Sequence, residues 1–369
     1  MDLGKTNLIV ILYYKLCKKK MGYFIPIIFL ISFLLLALPS FLLGTLFSST
    51  KQPGLVQDFA ALFTGIFGLP FLSLFSVYFI NNVPKILSRL SEDPSVKIPK
   101  ADFEKIQSKF FNRVTNKLNN LIIIPAFLIN GIWVTIHLYS PILSWFTTYI
   151  SSGNKGLMLN GYLYILVETL FYYLLLYNCI YFVSIILFLK EIAKKAKIRV
   201  IPLHPDGCGG LSNIGKLGFI NSLPILVLGF GLVSNIMADI YIMKMEILSF
   251  YHIFLISIYI FVSLIFFFLP LYYFNVPMKK EKKETLNKLG NLYIQIFNKT
   301  FSDTNLDNNS IELLKELDFV KNSFEQVKKM PIWPFNIESV KRYFLIIVSP
   351  FTAFVLPVII EKIIASFIK

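Results

Sequence analysis

The chain has 369 residues, of which 56% are hydrophobic and only 15% charged, and it carries 37 Phe and 19 Tyr. A soluble protein of this size has too little interior to hide so much apolar surface, so lipid is the expected solvent for much of it. The net charge of +15 would suit a nucleic-acid binder, but its placement along the chain is that of a topology signal, and no nucleic-acid partner is expected.

Residues 1–21 form a basic N-terminal segment. The first apolar run, 22–47, exceeds the usual secretory core and has no small-x-small cleavage site after it, so it is expected to stay as the first span. Further runs fall near 60–81, 121–149, 159–189, 218–241 and 250–275. Each is long enough for a hydrocarbon core of ~30 Å, which takes roughly 20 helical residues. The third and fourth exceed that thickness and should tilt or project. A seventh candidate, 343–360, contains Pro350 and Pro357. A tilted span is preferred there; a re-entrant or interfacial hairpin within 343–369 is the alternative, because prolines free backbone groups that lipid cannot satisfy.

Lys and Arg set the orientation. Five lie before the first span, eight between Lys85 and Lys117, six between Lys190 and Lys216, and twelve between Lys279 and Arg342. The loops assigned to the other side hold Lys51, Lys155 and Lys244. By the positive-inside rule the N-terminus is cytoplasmic and the location is a cell (inner) membrane, with anionic headgroups as the partner of the basic side.

Two cytoplasmic elements are legible. Phe103, Ile106, Phe110, Val114 and Leu118 recur at helical spacing among basic residues, which predicts an amphipathic helix over 100–118, packed on the protein or lying at the headgroups. Within 276–342, Leu286, Leu289, Tyr293 and Ile296, then Leu313, Leu317, Val320, Phe324 and Val327, step by three and four. The polar turn 302–308 lies between them, so two antiparallel helices with a short coiled-coil-like seam are predicted. That seam closes within the hairpin or on a partner, either a second copy of the chain or a cytoplasmic protein. The expected fold class is therefore all-α: a polytopic transmembrane bundle of six spans, a seventh at the C-terminus, and a cytoplasmic helical hairpin.

Specific chemistry is sparse. Cys17, Cys179 and Cys208 have no paired spacing, so neither a disulfide framework nor a zinc cluster is indicated. No G-x-S-x-G, HExxH or Walker A element occurs, and no catalytic residue, metal or cofactor is assigned. The most distinctive stretch is His204-Pro205-Asp206-Gly207-Cys208-Gly209-Gly210-Leu211. Its glycines Gly207, Gly209 and Gly210 can turn successive N–H groups toward an anion, with His204 and Asp206 as a titratable pair. The alternative is a closed turn in which Asp206 caps its own backbone. Within the spans, His137, Glu168 and Asp239 all fall in the outer half, where they can form one polar cluster for an ion or a proton. Asn130, Asn178 and Asn235 read as interhelical hydrogen-bonding residues.

The His-Pro-Asp-x-x-Gly-Gly-Leu loop, and the tail Met330-Pro331-Ile332-Trp333-Pro334-Phe335 before a proline-containing last span, resemble a group of uncharacterised prokaryotic multi-pass membrane proteins. That group shares an H-P-D-x-x-G-G-L loop after a central span and an M-x-x-x-P-F motif before the last one. The similarity runs from about residue 200 onward. Cys208 stands where the group has Ala, Ser212-Asn213-Ile214 where it has Gly-Phe-Leu, and Trp333 where Val is usual. The resemblance implies a bacterial or archaeal inner-membrane protein and brings no activity with it. Three functions are carried forward: a transport or channel protein, a non-catalytic scaffold or sensor docking partners through the hairpin, and an enzyme acting on a lipid or phosphorylated headgroup.

Overall fold

The computed structural model describes residues 7–17, 20–47, 53–139, 144–149, 155–201, 204–241, 249–302, 308–336 and 338–352. In chain order they form α1 (Leu8–Leu16), α2 (Met21–Leu42), α3 (Phe59–Leu62), a π-helical segment (Phe63–Gly68), α4 (Leu69–Glu92), β1 (Val96–Lys97), α5 (Lys100–Val114), α6 (Ile123–Tyr139), β2 (Thr147–Tyr149), β3 (Lys155–Leu157), α7 (Leu159–Lys195), β4 (Lys197–Ile198), α8 (Ser212–Ser222), α9 (Pro224–Tyr241), α10 (Phe250–Ser302), α11 (Asn308–Lys328) and α12 (338–352). Among the described residues six helical stretches are long and apolar enough to cross a membrane. The chain is an all-α bundle and fits a multi-pass membrane protein.

The spans differ from the expected ones in instructive ways. The third ends at Tyr139; residues 147–149 belong to a small antiparallel ladder with 155–157. β-Branched and aromatic residues there (Thr147, Thr148, Tyr149) favour an extended chain once the apolar run gives way to Ser144. The sixth span and the first hairpin helix are one element: α10 runs 53 residues through Pro270 and Pro277. At 1.5 Å per residue it is about 80 Å long, so its charged second half extends well past any hydrocarbon layer. Within the basic N-terminal segment 1–21, residues 8–16 form a helix. Asn7 caps it by accepting the Val10 N–H at 2.8 Å and donates to the Tyr181 hydroxyl at 3.1 Å. Val10, Tyr13 and Cys17 are buried against the bundle.

α7 is the axis of the fold, with α2, α4, α5, α6 and α10 all packed against it. It runs past the membrane length, and its last turns are clothed by α5. Phe103 and Phe110 meet Phe188 edge-on, Lys109 and Arg113 pair with Glu191, and Lys195 pairs with Asp102. The amphipathic helix therefore packs on protein, and Leu118, beyond its end, is left exposed. The β1–β4 pair joins the loop after α4 to the loop after α7.

The tail of α10 and α11 share a small separate core of Ile296, Leu317 and Val320, flanked by Leu289 and Leu313. Residues 303–307 between these helices lie outside the described part. So does the second half of the expected seventh span: α12 is helical as far as residue 352. It is tied to α10 by Phe267 stacked on Tyr343 and by the Tyr343 hydroxyl donating to the Ser263 carbonyl.

Candidate functional site

The loop 204–211 is built around one carboxylate. Oδ1 of Asp206 accepts the N–H groups of Cys208 at 2.8 Å and Gly210 at 3.1 Å, and Oδ2 accepts that of Ser212 at 3.1 Å. His204 Nδ1 stands 2.7 Å from Oδ1. The Asp206 N–H lies 3.3 Å from the same ring nitrogen, but the carboxylate is nearer and charged, so the Nδ1–H donates to it. Burial works to raise the Asp206 carboxyl. The donated bonds from Cys208, Gly210, His204 and Ser212 outweigh it and hold the group below the ordinary carboxylate range. Burial, then the charge of Asp206, pushes the Cys208 thiol up to about 12, which leaves it a packing residue without thiolate character.

The glycines are there for space as well as conformation. Gly210 has φ +90° and a Cβ would fall 1.9 Å from Ser95 Oγ; Gly209 has φ +67° and would strike Val200. Ser95 Oγ and the Ile201 N–H both donate to the Gly209 carbonyl, which fastens the loop to the β1–β4 pair. Of the three glycine amides singled out in the sequence as an anion nest, that of Gly210 is directed at the chain's own Asp206 and that of Gly207 at the His204 carbonyl.

The anion-competent space lies beside this loop. A cavity of about 570 Å³ is walled by α4, α8 and the start of α12, with Cys208 and Phe335 contributing. Lys85 and Arg89 enter from α4, Lys216 from α8 and Arg342 from α12. Arg342 is paired with Glu338 at 2.5 Å; among the described residues Lys85, Arg89 and Lys216 have no carboxylate within ion-pair distance. Asn82, Ser212, Asn336 and Ser339 add hydrogen-bonding groups, and Ile86, Phe219 and Ile220 an apolar floor. The two motifs noted in the second half of the chain meet here. Gly215 lets the Pro334 carbonyl approach so closely that a Cβ would lie 2.2 Å from it, and Gly207 faces Asn336. Met330 and Ile332 carbonyls accept from Lys282 and Asn275, which anchors the tail to α10.

Both spans that flank the cavity are irregular. The second contains the π-helical segment Phe63–Gly68, and the fifth is broken at Leu223 before Pro224, with Asn221 and Ser222 buried at the break. They pack side by side. π-Bulges and broken helices in membranes occur where backbone groups are re-satisfied by protein or line a cavity.

At the opposite end of the bundle, Glu168 is 4% exposed and its Oε1 accepts from the Tyr164 hydroxyl at 3.0 Å. Its Oε2 has no partner among the described residues. Asp58 stands near it, capping α3 through the Ala61 N–H and accepting from Trp145 Nε1 at 3.0 Å. Asn160 bridges Thr45 and the Trp145 carbonyl. Of the residues expected to join Glu168, Asp239 faces His252 Nε2 at 3.4 Å, and the side chain of His137, on α6, lies outside the described part. Of the three asparagines, Asn130 bridges α6 to Ile165 and Thr169 on α7, while Asn178 and Asn235 bond within their own helices. Among the described residues no group of three or more His, Cys, Asp and Glu side chains is arranged to hold a metal ion.

No family model, no curated protein and no solved structure matches this chain. The site therefore rests on its own geometry. Lys85, Arg89, Lys216 and Arg342 entered the sequence reading only as orientation charges. One local signal was available: Tyr78, Asn82, Lys85 and Arg89 are spaced four, three and four residues apart, one polar face at the end of a span.

Proposed function

We propose that this chain is an integral membrane transport protein of the cell membrane, N-terminus cytoplasmic, that recognises an anionic, phosphate-bearing group from the cytoplasmic side. The observation that carries the reading is the convergence, on one cavity at the seam of two interrupted spans, of three cations with no carboxylate partner among the described residues. Interrupted helices supply both the polar backbone and the hinges that transport needs. The cations are exposed, so each contributes a screened attraction, about a tenfold change in affinity when removed. In this reading the region 276–342 is the cytoplasmic hairpin, and α12 begins a seventh span.

The test is calorimetric binding of glycerol 3-phosphate to the purified chain, followed by its uptake into proteoliposomes. Binding is expected, weakened about tenfold by Lys216→Gln and by Arg89→Gln, with uptake above that of protein-free vesicles. Binding that ignores both substitutions would end the assignment of this cavity.

A scaffold role is favoured by a separate observation. Phe319 is 72% exposed, and Ile294 and Leu314 are also left open on the α10 tail and α11. A patch of this kind suits a second copy or a cytoplasmic protein. If it does form an oligomer, Phe319→Lys will halve the protein mass measured by light scattering after detergent correction; an unchanged monomer mass in wild type removes the self-association arm.

A further inference from the structure

The basic cavity does not stand alone on its seam. Farther along the same two spans lies an apolar groove of about 250 Å³, lined by Phe63, Phe67, Phe71, Leu226, Val227 and Phe230. The second span presents residues of both on one face. On the second span Phe67, Phe71, Tyr78, Asn82, Lys85 and Arg89 follow at +4, +7, +4, +3 and +4, which keeps them on one face of a helix. On the fifth, Phe219 of the cavity and Leu226 of the groove lie on either side of the break at Leu223. On the second span two helical turns, about 10 Å at 1.5 Å per residue, separate Phe71 of the apolar groove from Tyr78 at the cavity's edge, and about 21 Å separate Phe71 from Lys85. This face of the span is turned outward: Phe67 is 55% exposed, Phe71 48% and Tyr78 40%.

We propose that this seam binds one anionic glycerophospholipid. Its phosphate lies between Lys85, Arg89 and Lys216, and an acyl chain lies over Phe71, Phe67 and Phe230. The inference rests on the reading of the cavity as the anion site and names the class of anion. Two features favour a lipid over a free phosphate. The cavity floor is apolar (Ile86, Phe219, Ile220), which a small hydrated anion does not use. The groove lies on the same two spans as the cavity, among exposed apolar side chains such as Phe67 and Phe71 that suit hydrocarbon. Charge selects among lipids: three cations without a carboxylate partner among the described residues favour a net-anionic headgroup over a zwitterionic one.

The experiment is a lipid titration of the delipidated, detergent-purified chain, read by native mass spectrometry, with phosphatidylglycerol and phosphatidylcholine as probes. The expected result is one retained phosphatidylglycerol per chain, held about tenfold more tightly than phosphatidylcholine. Lys216→Gln should abolish that preference. The double variant Phe67→Ala, Phe71→Ala should lose phosphatidylglycerol about tenfold yet bind glycerol 3-phosphate as wild type does. Both rings are half exposed, so this variant is expected to melt with wild type, and its melting temperature is measured alongside. Equal retention of the two lipids, or retention untouched by the phenylalanine substitutions, would overturn the lipid assignment. If glycerol 3-phosphate still binds and still responds to Lys216→Gln, the anion site survives that failure. If neither probe binds, both proposals fall.

Discussion

Asp206→Ala is expected to lower the stability of the chain by about 3 kcal/mol, a larger loss than any other single side chain of the loop should show. The substitution leaves three backbone N–H groups without an acceptor, those of Cys208, Gly210 and Ser212. A buried donor stripped of its partner costs about 1–3 kcal/mol. The carboxylate is 13% exposed, so water can reach part of the loop and the low end of that range applies to each group. Asp206→Asn keeps the shape and one acceptor oxygen but turns an amide NH₂ toward an N–H, and should fall between the two. The same argument fixes a pH dependence. Because the folded carboxyl is held below its unfolded value, the folded state binds the proton less readily. The stabilisation is fully present above about pH 4, the ordinary aspartate value, and is lost as pH falls through the lower folded value. Thermal unfolding in nanodiscs between pH 3 and 7 should show a loss below pH 4 in wild type that is reduced in Asp206→Asn. Superimposed profiles would show that Asp206 is not the hub of the turn.

The second large effect is expected at Gly215. Even an alanine there places a Cβ 2.2 Å from the Pro334 carbonyl, a backbone atom that cannot rotate away. Either α8 or the Met330–Phe335 tail must move, which should cost about 1–3 kcal/mol, as overpacking does. Phe335 and Asn336 line the cavity, so glycerol 3-phosphate binding should weaken with stability. Gly290→Ala is the control: it sits in the interior of α10 with nothing within 4 Å of a Cβ. There the substitution should stabilise the helix by about 0.5–1 kcal/mol by removing backbone freedom from the unfolded chain. A Gly215→Ala protein that melts with wild type would mean that the two motifs are not locked together at α8.

Much of the bundle was legible because crossing a membrane is a local property. A run of twenty apolar residues needs lipid whatever its neighbours are, so the runs at 22–47, 159–189 and 250–275 stood out; the last two lie within α7 and α10, and α2 takes up the first as far as Leu42. The amphipathic pattern at Phe103, Ile106 and Phe110 was equally visible, since a helix repeats its own face. Its docking on α7 was not, because Phe188 and Glu191 lie far off in sequence. Irregularities within spans were hidden for a related reason: the π segment at Phe63–Gly68 is set by how Gly65 and Gly68 close on Leu36 and Phe171.

By itself, then, the sequence determined the solvent, the helical class and the distribution of charge along the chain, because these follow from hydropathy and from the 3.6-residue period. Tertiary structure alone decided which charges meet. Lys85, Lys216 and Arg342 are drawn to one cavity from three helices, Asp206 closes on its own amides, and Asp239 turns to His252 rather than to Glu168. Each of these depends on the packing of elements tens or hundreds of residues apart, and packing of that kind is a property of whole faces in contact, not of any one segment's pattern.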